Sequence, residues 1–388
     1  MSYRLFAIVL VMLSLTLTSP ATADMRQWNK KMQELSTVMN ELLPQINQLY
    51  ETDKEPLEKN AKKLTELVHT LAVQPGGKSM LPPDADPSLT IVQGLFERDA
   101  KRAYHAIKNG HVDYGKGILR SMTSYCIACH SRNGSGPDFP NITLSPKTEN
   151  LNTFEKAQLL AATRQFDGAI ENLTVVVGDG EIAHQRPLEW NRAVKQGLML
   201  TVRVKQDPDK ALAFLAAAGK VEAPRFTTQN TEAWKASLEA WKKEKTVVKP
   251  TEVSLHRGAK KLLDQARASQ KFPMDRNADV LYLRASAMLH DQLRIAPAGP
   301  LAPEAFYLLG RSYEVLGDLQ TEPWHEIYYE TCIRQKPHTA LARSCFDAFE
   351  SSIHFGYSGS AGFSLPEDVR AQMNELKKLA AAEKSDKK

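Results

Sequence analysis

Five consecutive residues, Cys126-Ile127-Ala128-Cys129-His130, constrain this chain more than any other stretch. On a helix of 3.6 residues per turn, positions i, i+3 and i+4 share one face, so both thiols and the imidazole point the same way. A fold that uses them must turn the end of that helix toward a pocket. C-x-x-C-H is the attachment signature of a covalent haem, in which each thiol bonds a vinyl group and the imidazole ligates the iron. Three plainer readings stand beside it. The pattern can arise by chance. A thioredoxin-like redox pair would need βαβ surroundings, which the periodicity does not offer. Half of a zinc site would need a second close Cys/His pair, and none follows nearby. The signature therefore predicts one haem c, with Cys126 and Cys129 as thioether positions and His130 as proximal iron ligand.

Residues 1–23 read as a secretory signal. Arg4 precedes an apolar run from Leu5 to Leu17, and Ala21 and Ala23 are the small residues of a cleavage site before Asp24. The run is too short to span a bilayer as a permanent anchor. The expected destination is the periplasm, with no membrane span left after cleavage.

The remaining length suits two or three domains. Fifty basic and 45 acidic residues are interspersed, for a net charge of +5. With no basic stripe there is no reason to expect nucleic acid as a partner.

Between residues 24 and 135 the periodicity is helical. Met32, Leu35, Met39, Leu42, Ile46 and Leu49 alternate by three and four, an a/d seam interrupted by Pro44, which should kink or split the helix. Leu57, Ala61, Leu64, Val68 and Leu71 mark a second helix, and Leu89, Val92, Phe96, Ala103 and Ile107 a third that stops near Asn109-Gly110. A fourth runs from His111 through Ile118, Leu119 and Met122 into the cysteine motif and should end by Gly134. Residues 74–88, rich in Pro and Gly, read as a loop.

Four such helices with the motif late on the last make an antiparallel bundle. The arrangement resembles the cytochrome c′ and cytochrome c-556 family, over about a third of the chain. Ser131-Arg132-Asn133 departs from it, keeping a basic residue after the motif but losing the usual aromatic. The resemblance implies that the sixth iron position separates two functions: a Met from the first helix closes the site for electron transfer, and an apolar residue leaves it open to small gases. Met32, in the early turns, is the candidate distal ligand and Met39 the reserve. For each, the plain alternative is core packing. His69, His105 and His111 are weaker candidates. What c-type cytochromes share also ties thioether attachment to the outer side of the inner membrane, in keeping with the leader.

Residues 136–150 read as a linker, and residues 151–385 as helical again. The stretch from Thr163 to Ile170 resembles the turn between the two helices of a tetratricopeptide repeat. Phe306, Leu309, Gly310 and Tyr313 match that family's aromatic, Leu, Gly and Tyr positions. Other expected helices, near residues 188–205, 209–218, 232–243, 255–268 and 279–295, keep no fixed period. The region reads as a degenerate array of helical hairpins, with a dividing point at residues 242–253. Cys332 and Cys345 flank Lys336-Pro337-His338, a turn between two helices, at distances that place them at similar height. Export favours a disulfide there over two buried thiols.

The fold class expected is thus all-α: leader, haem-bearing four-helix bundle, then helical hairpins. No hydrolase, zinc-protease or phosphate-loop motif is present, and Glu326, Glu330 and Glu350 read as solvated helix faces, so no enzyme is expected. The leading expectation is a monohaem electron carrier that docks a redox partner protein through the helical array. The alternative is a five-coordinate sensor of nitric oxide or carbon monoxide signalling through that array, and a third is an interaction scaffold with a structural haem.

Overall fold

The computed structural model describes residues 20–47, 53–72, 85–132, 134, 139, 151–222, 225–244, 249–273, 275–317, 323–360 and 362–382. Among them the chain is all-α apart from one two-residue hairpin. The expected leader lies outside the described residues except for its last four positions, which open the first helix. The expected linker also lies outside them, save Phe139.

Helices α1 (Pro20–Asn47), α2 (Lys54–Ala72), α3 (Ser88–Lys108) and α4 (Val112–His130) each pack on the next, and α1 also meets α4. The apolar spacing explains which faces meet. Leu57, Ala61, Leu64, Val68 and Leu71 of α2 are all buried, as are Leu35, Met39, Leu42 and Ile46 of α1. At Gly115 a Cβ would stand 2.5 Å from Cγ1 of Ile107, so the approach of α4 to α3 requires glycine there. One alternative is excluded at Pro44, and the fourth helix ends within the expected bound. The first helix is not split at Pro44 but continues to Asn47, because a proline one turn from a helix end removes a single late hydrogen bond. The fourth helix ends at His130 itself, where the Ser131 N–H closes on the Ile127 carbonyl.

The second half begins with α5 (Thr153–Ala162), started by a capping box between Asn152 and Glu155, and α6 (Phe166–Val177). Then come α7 (Gly180–Gln185), α8 (Pro187–Met199) with a buried π-turn over Leu200–Val204, α9 (Pro208–Ala218) and α10 (Arg225–Lys242). Helices α11 (Glu252–Ser269), α12 (Asp279–Ile295), α13 (Ala302–Leu316), α14 (Trp324–Gln335), α15 (Ala340–Tyr357) and α16 (Glu367–Ala380) follow, each packed on its successor. At residues 242–253 α10 still reaches across the break, since Trp234 Nε1 donates to the Arg276 carbonyl at 2.7 Å.

Strands β1 (Ser358–Gly359) and β2 (Gly362–Phe363) pair antiparallel in register Ser358 with Phe363. No apolar–polar alternation in this stretch predicts them. Cys332 of α14 and Cys345 of α15 are disulfide-bonded, with Cα atoms 6.3 Å apart, and both are fully buried. Glu330 is buried rather than solvated. It accepts from Arg334 and from Gln372 of α16, both at 2.7 Å, and these donors offset its desolvation.

One hydrophobic core runs from Leu35 in α1 to Ala380 in α16. The two halves share it through α4 against α5 and α3 against α14. That junction is where the cysteine motif sits.

Candidate functional site

The motif occupies the last turn of α4, and Cys126, Cys129 and His130 all line one cavity of about 460 Å³. Its volume is in the range of small-molecule and cofactor sites. The wall is mostly apolar. Met32, Leu35 and Met39 come from α1, Val68 and Leu71 from α2, and Val92 and Phe96 from α3. Met39 is buried and Met32 half-buried, so the seam read from the sequence carries both onto the cavity wall. His69, His105 and His111 are exposed and do not line it; His69 instead bonds Glu97 at 2.7 Å.

His130 is held from three sides. Its Nδ1 lies 2.6 Å from the carbonyl oxygen of Ala162, its ring stacks on Phe139 at 5.5 Å, and its own carbonyl accepts from Arg164 Nη1 at 3.0 Å. A carbonyl only accepts, so Nδ1 carries the proton and Nε2 keeps its lone pair. Burial pushes the imidazole pKa down to about 4, with the Ala162 carbonyl opposing and the Arg164 charge adding to the drop. The ring is therefore neutral at neutral pH, with Nε2 able to bind a metal. Arg164 adopts φ 62° in the turn between α5 and α6, a left-handed conformation uncommon for a side-chain-bearing residue.

Burial pushes the Cys126 thiol up to about 12, with Cys129 beside it adding to the rise, and burial raises Cys129 as well. Neutral, partly enclosed thiols are unlike the exposed, acidified thiolate of a disulfide oxidoreductase. Among the described residues no group of three or more His, Cys, Asp or Glu side chains is placed to hold a metal ion. Likewise, no described helix is long and apolar enough to cross a membrane.

The rest of the wall was not anticipated. Arg132 is buried, pairs through Nη1 with Asp86 and donates to Ser88 Oγ at 2.9 Å. Burial disfavours its charge, but Tyr328 and Asp86 lead the neighbours that hold its pKa above the ordinary arginine value. Asp86 also caps the start of α3, accepting from the Ser88 N–H at 2.9 Å. From the second half of the chain, His290, Leu293 and Arg294 of α12 line the same cavity. His290 Nε2 lies 2.9 Å from the Tyr313 hydroxyl, and burial pushes its pKa well below the usual histidine value, with the charges of Arg132 and Arg203 adding to the drop. Trp324 of α14 packs edge-on to Tyr125, the residue before the motif, at 6.2 Å.

Comparison with family models, curated proteins and solved structures finds no match to this chain. The functional reading therefore rests on the cavity and its residues.

Proposed function

We propose that this chain is an exported monohaem c-type cytochrome that passes single electrons to and from a protein partner. One observation carries the reading. The two thiols of Cys126 and Cys129 line the same cavity as an imidazole whose Nδ1–H is committed to the Ala162 carbonyl, leaving Nε2 as donor. The donor set, the apolar wall and the size of the cavity all fit a tethered tetrapyrrole. Cys126 and Cys129 would hold it covalently and His130 would supply the proximal nitrogen. When bound, the group supplies a one-electron iron couple.

The chain's own residues do the rest. The Ala162 carbonyl and the Phe139 ring fix the orientation of the imidazole, and the carbonyl, by accepting from Nδ1–H, leaves Nε2 as the donor and partly opposes the effect of burial. The apolar side chains of α1 to α3 exclude water from the cavity, which bears on the potential. Met32, with Met39 in reserve, is the candidate for the distal position. The closure of α1 to α4 on one another supports the likeness to the cytochrome c′ and c-556 bundle. The helix pairs from α5 onward support a degenerate tetratricopeptide-like array that docks the partner. The periplasm is the proposed compartment.

A second reading, a five-coordinate protein that takes up nitric oxide or carbon monoxide, is favoured by His290, which brings a neutral polar side chain to the same apolar cavity. Production of the exported chain together with a cytochrome c maturation system tests the primary reading. The expected product is coloured, keeps its haem on a denaturing gel and has the mass of chain plus one haem. A colourless product with the mass of the bare chain would overturn it.

A further inference from the structure

We propose that Arg132 grips a ring carboxylate of the bound tetrapyrrole with the Nε–Nη2 edge of its guanidinium, and that Trp324 and Tyr328 are its positioning residues. The proposal rests on the haem reading above and adds to it the residue that meets the charged rim of the group.

The state of Arg132 carries the argument. The residue lines the cavity and is 6% exposed. Nη1 is taken by Asp86 and by Ser88 Oγ, whereas Nε and Nη2 are buried without a hydrogen-bond partner. Those two nitrogens form one side of the planar fork, the edge whose parallel N–H bonds match the two oxygens of a carboxylate. Buried donors in native proteins are almost always satisfied, and a buried guanidinium edge calls for an anionic acceptor.

The charges of the wall agree. Among the described residues Asp86 is its one carboxylate, beside the guanidiniums of Arg132, Arg164 and Arg294. An apolar chamber with a buried, half-satisfied guanidinium on its wall suits a ligand with an apolar body and carboxylates at its rim. Of the group's features, only the ring carboxylates answer that description.

The second half of the chain fixes where the cation stands. The Arg132 guanidinium lies 5.8 Å from the Trp324 ring and 5.6 Å from the Tyr328 ring, both on α14. Flat aromatic faces hold a weakly hydrated guanidinium without competing for its donors. The C-terminal helices would thus help set the potential of a group tethered 200 residues earlier in the chain, on the order of the separation between Cys126 and Trp324.

The test uses the holoprotein, loaded with haem carrying ¹³C at its ring carboxylates. Redox-difference infrared spectra and the midpoint potential are recorded for wild type, R132K, R132L, R132L/D86N and W324L. In the wild type a labelled carboxylate stretch should report a strong bidentate partner. R132L should shift that band toward the position of a water-exposed carboxylate and lower the midpoint, because losing a nearby cation favours the oxidised iron. R132K, which keeps the charge but not the paired edge, should fall between. W324L should shift both readouts in the same direction as R132L but by less. If R132L does not fold because Asp86 is stranded, R132L/D86N removes both charges, and its labelled carboxylate band should shift as in R132L while its midpoint, having lost an anion as well, falls less. A labelled band and midpoint unchanged in R132L and R132K would overturn the proposal while leaving the haem reading intact. An Arg132-sensitive band that is unlabelled, and that responds to ¹³C-acetate, would also overturn it, since the edge would then hold a free carboxylate. A wild-type chain without covalent haem would overturn the haem reading itself.

Discussion

Nδ1 of His130 stands 2.6 Å from the backbone oxygen of Ala162, so a helix in the second half of the chain decides which nitrogen of the motif's histidine is left to donate. The consequence can be measured on the haem-free chain. Burial first, with Arg164 adding, pushes this imidazole down to about 4. At pH 6, ¹⁵N spectra of histidine-labelled protein should show His130 neutral with its proton on Nδ1. A protonated His130 at pH 6, or a proton on Nε2, would contradict the assignment.

The two methionines separate the electron carrier from the gas binder. Both line the cavity, from positions one heptad apart on α1. If Met32 is the distal ligand, M32L should leave the haem attached, open the reduced protein to rapid carbon monoxide binding and lower the midpoint potential. M39L should behave as wild type apart from a core-packing loss below about 1.5 kcal/mol, the usual cost of a Leu/Met exchange. Rapid carbon monoxide binding by the wild type, unchanged in M32L and M39L, would favour the five-coordinate reading. Stopped-flow absorbance distinguishes these outcomes.

Much of this site is visible in the chain before it folds, and the remainder is hidden for a definite reason. The i, i+3, i+4 spacing of Cys126, Cys129 and His130 and the a/d seam of α1 are local, so they announce both the face that carries the thiols and the imidazole and the methionines that share the cavity. Helix ends are local too: Asn109-Gly110 stops the third helix, with Gly110 at φ 89°. The rest of the wall depends on contacts across great lengths of sequence. His290 and Arg294 sit on the helix expected at residues 279–295, but nothing in that stretch points at the motif. Asp86 lies in a segment that reads only as loop. Glu330 looks like any exposed glutamate until α16 brings Gln372 against it. Arg132 is the near miss: it follows the motif directly, yet its burial needs Trp324 and Tyr328 from α14.

Buried His290 and half-buried His325 make stability fall in acid. Burial pushes His325 down to about 4 and His290 well below its ordinary value, with Arg132 and Arg203 adding to the drop at His290. In the unfolded chain both protonate near pH 6.5, so below that pH the unfolded state binds more protons than the folded one. The stability they contribute is complete above about pH 6.5 and is lost as pH falls toward 4, each histidine giving a slope of up to about 1.4 kcal/mol per pH unit. Urea unfolding at pH 7, 6 and 5 should show midpoints falling with pH, and H325Q should flatten part of that slope. A midpoint independent of pH across this range would contradict the lowered pKa of both rings.

The disulfide between Cys332 and Cys345 closes a short loop, with a sequence separation of 13. In the chain-entropy account a loop of this size contributes about 3 kcal/mol by restricting the unfolded state. The C332S/C345S pair should lower stability by roughly that amount and shift thermal unfolding down by several degrees. Because α14 also carries Trp324 and Tyr328, the same variant tests whether loosening that helix is felt at the cavity. Full reduction of the wild type should reproduce the loss. An unchanged unfolding midpoint after confirmed reduction would mean that the packing of α14 on α15 holds the pair together without the bond.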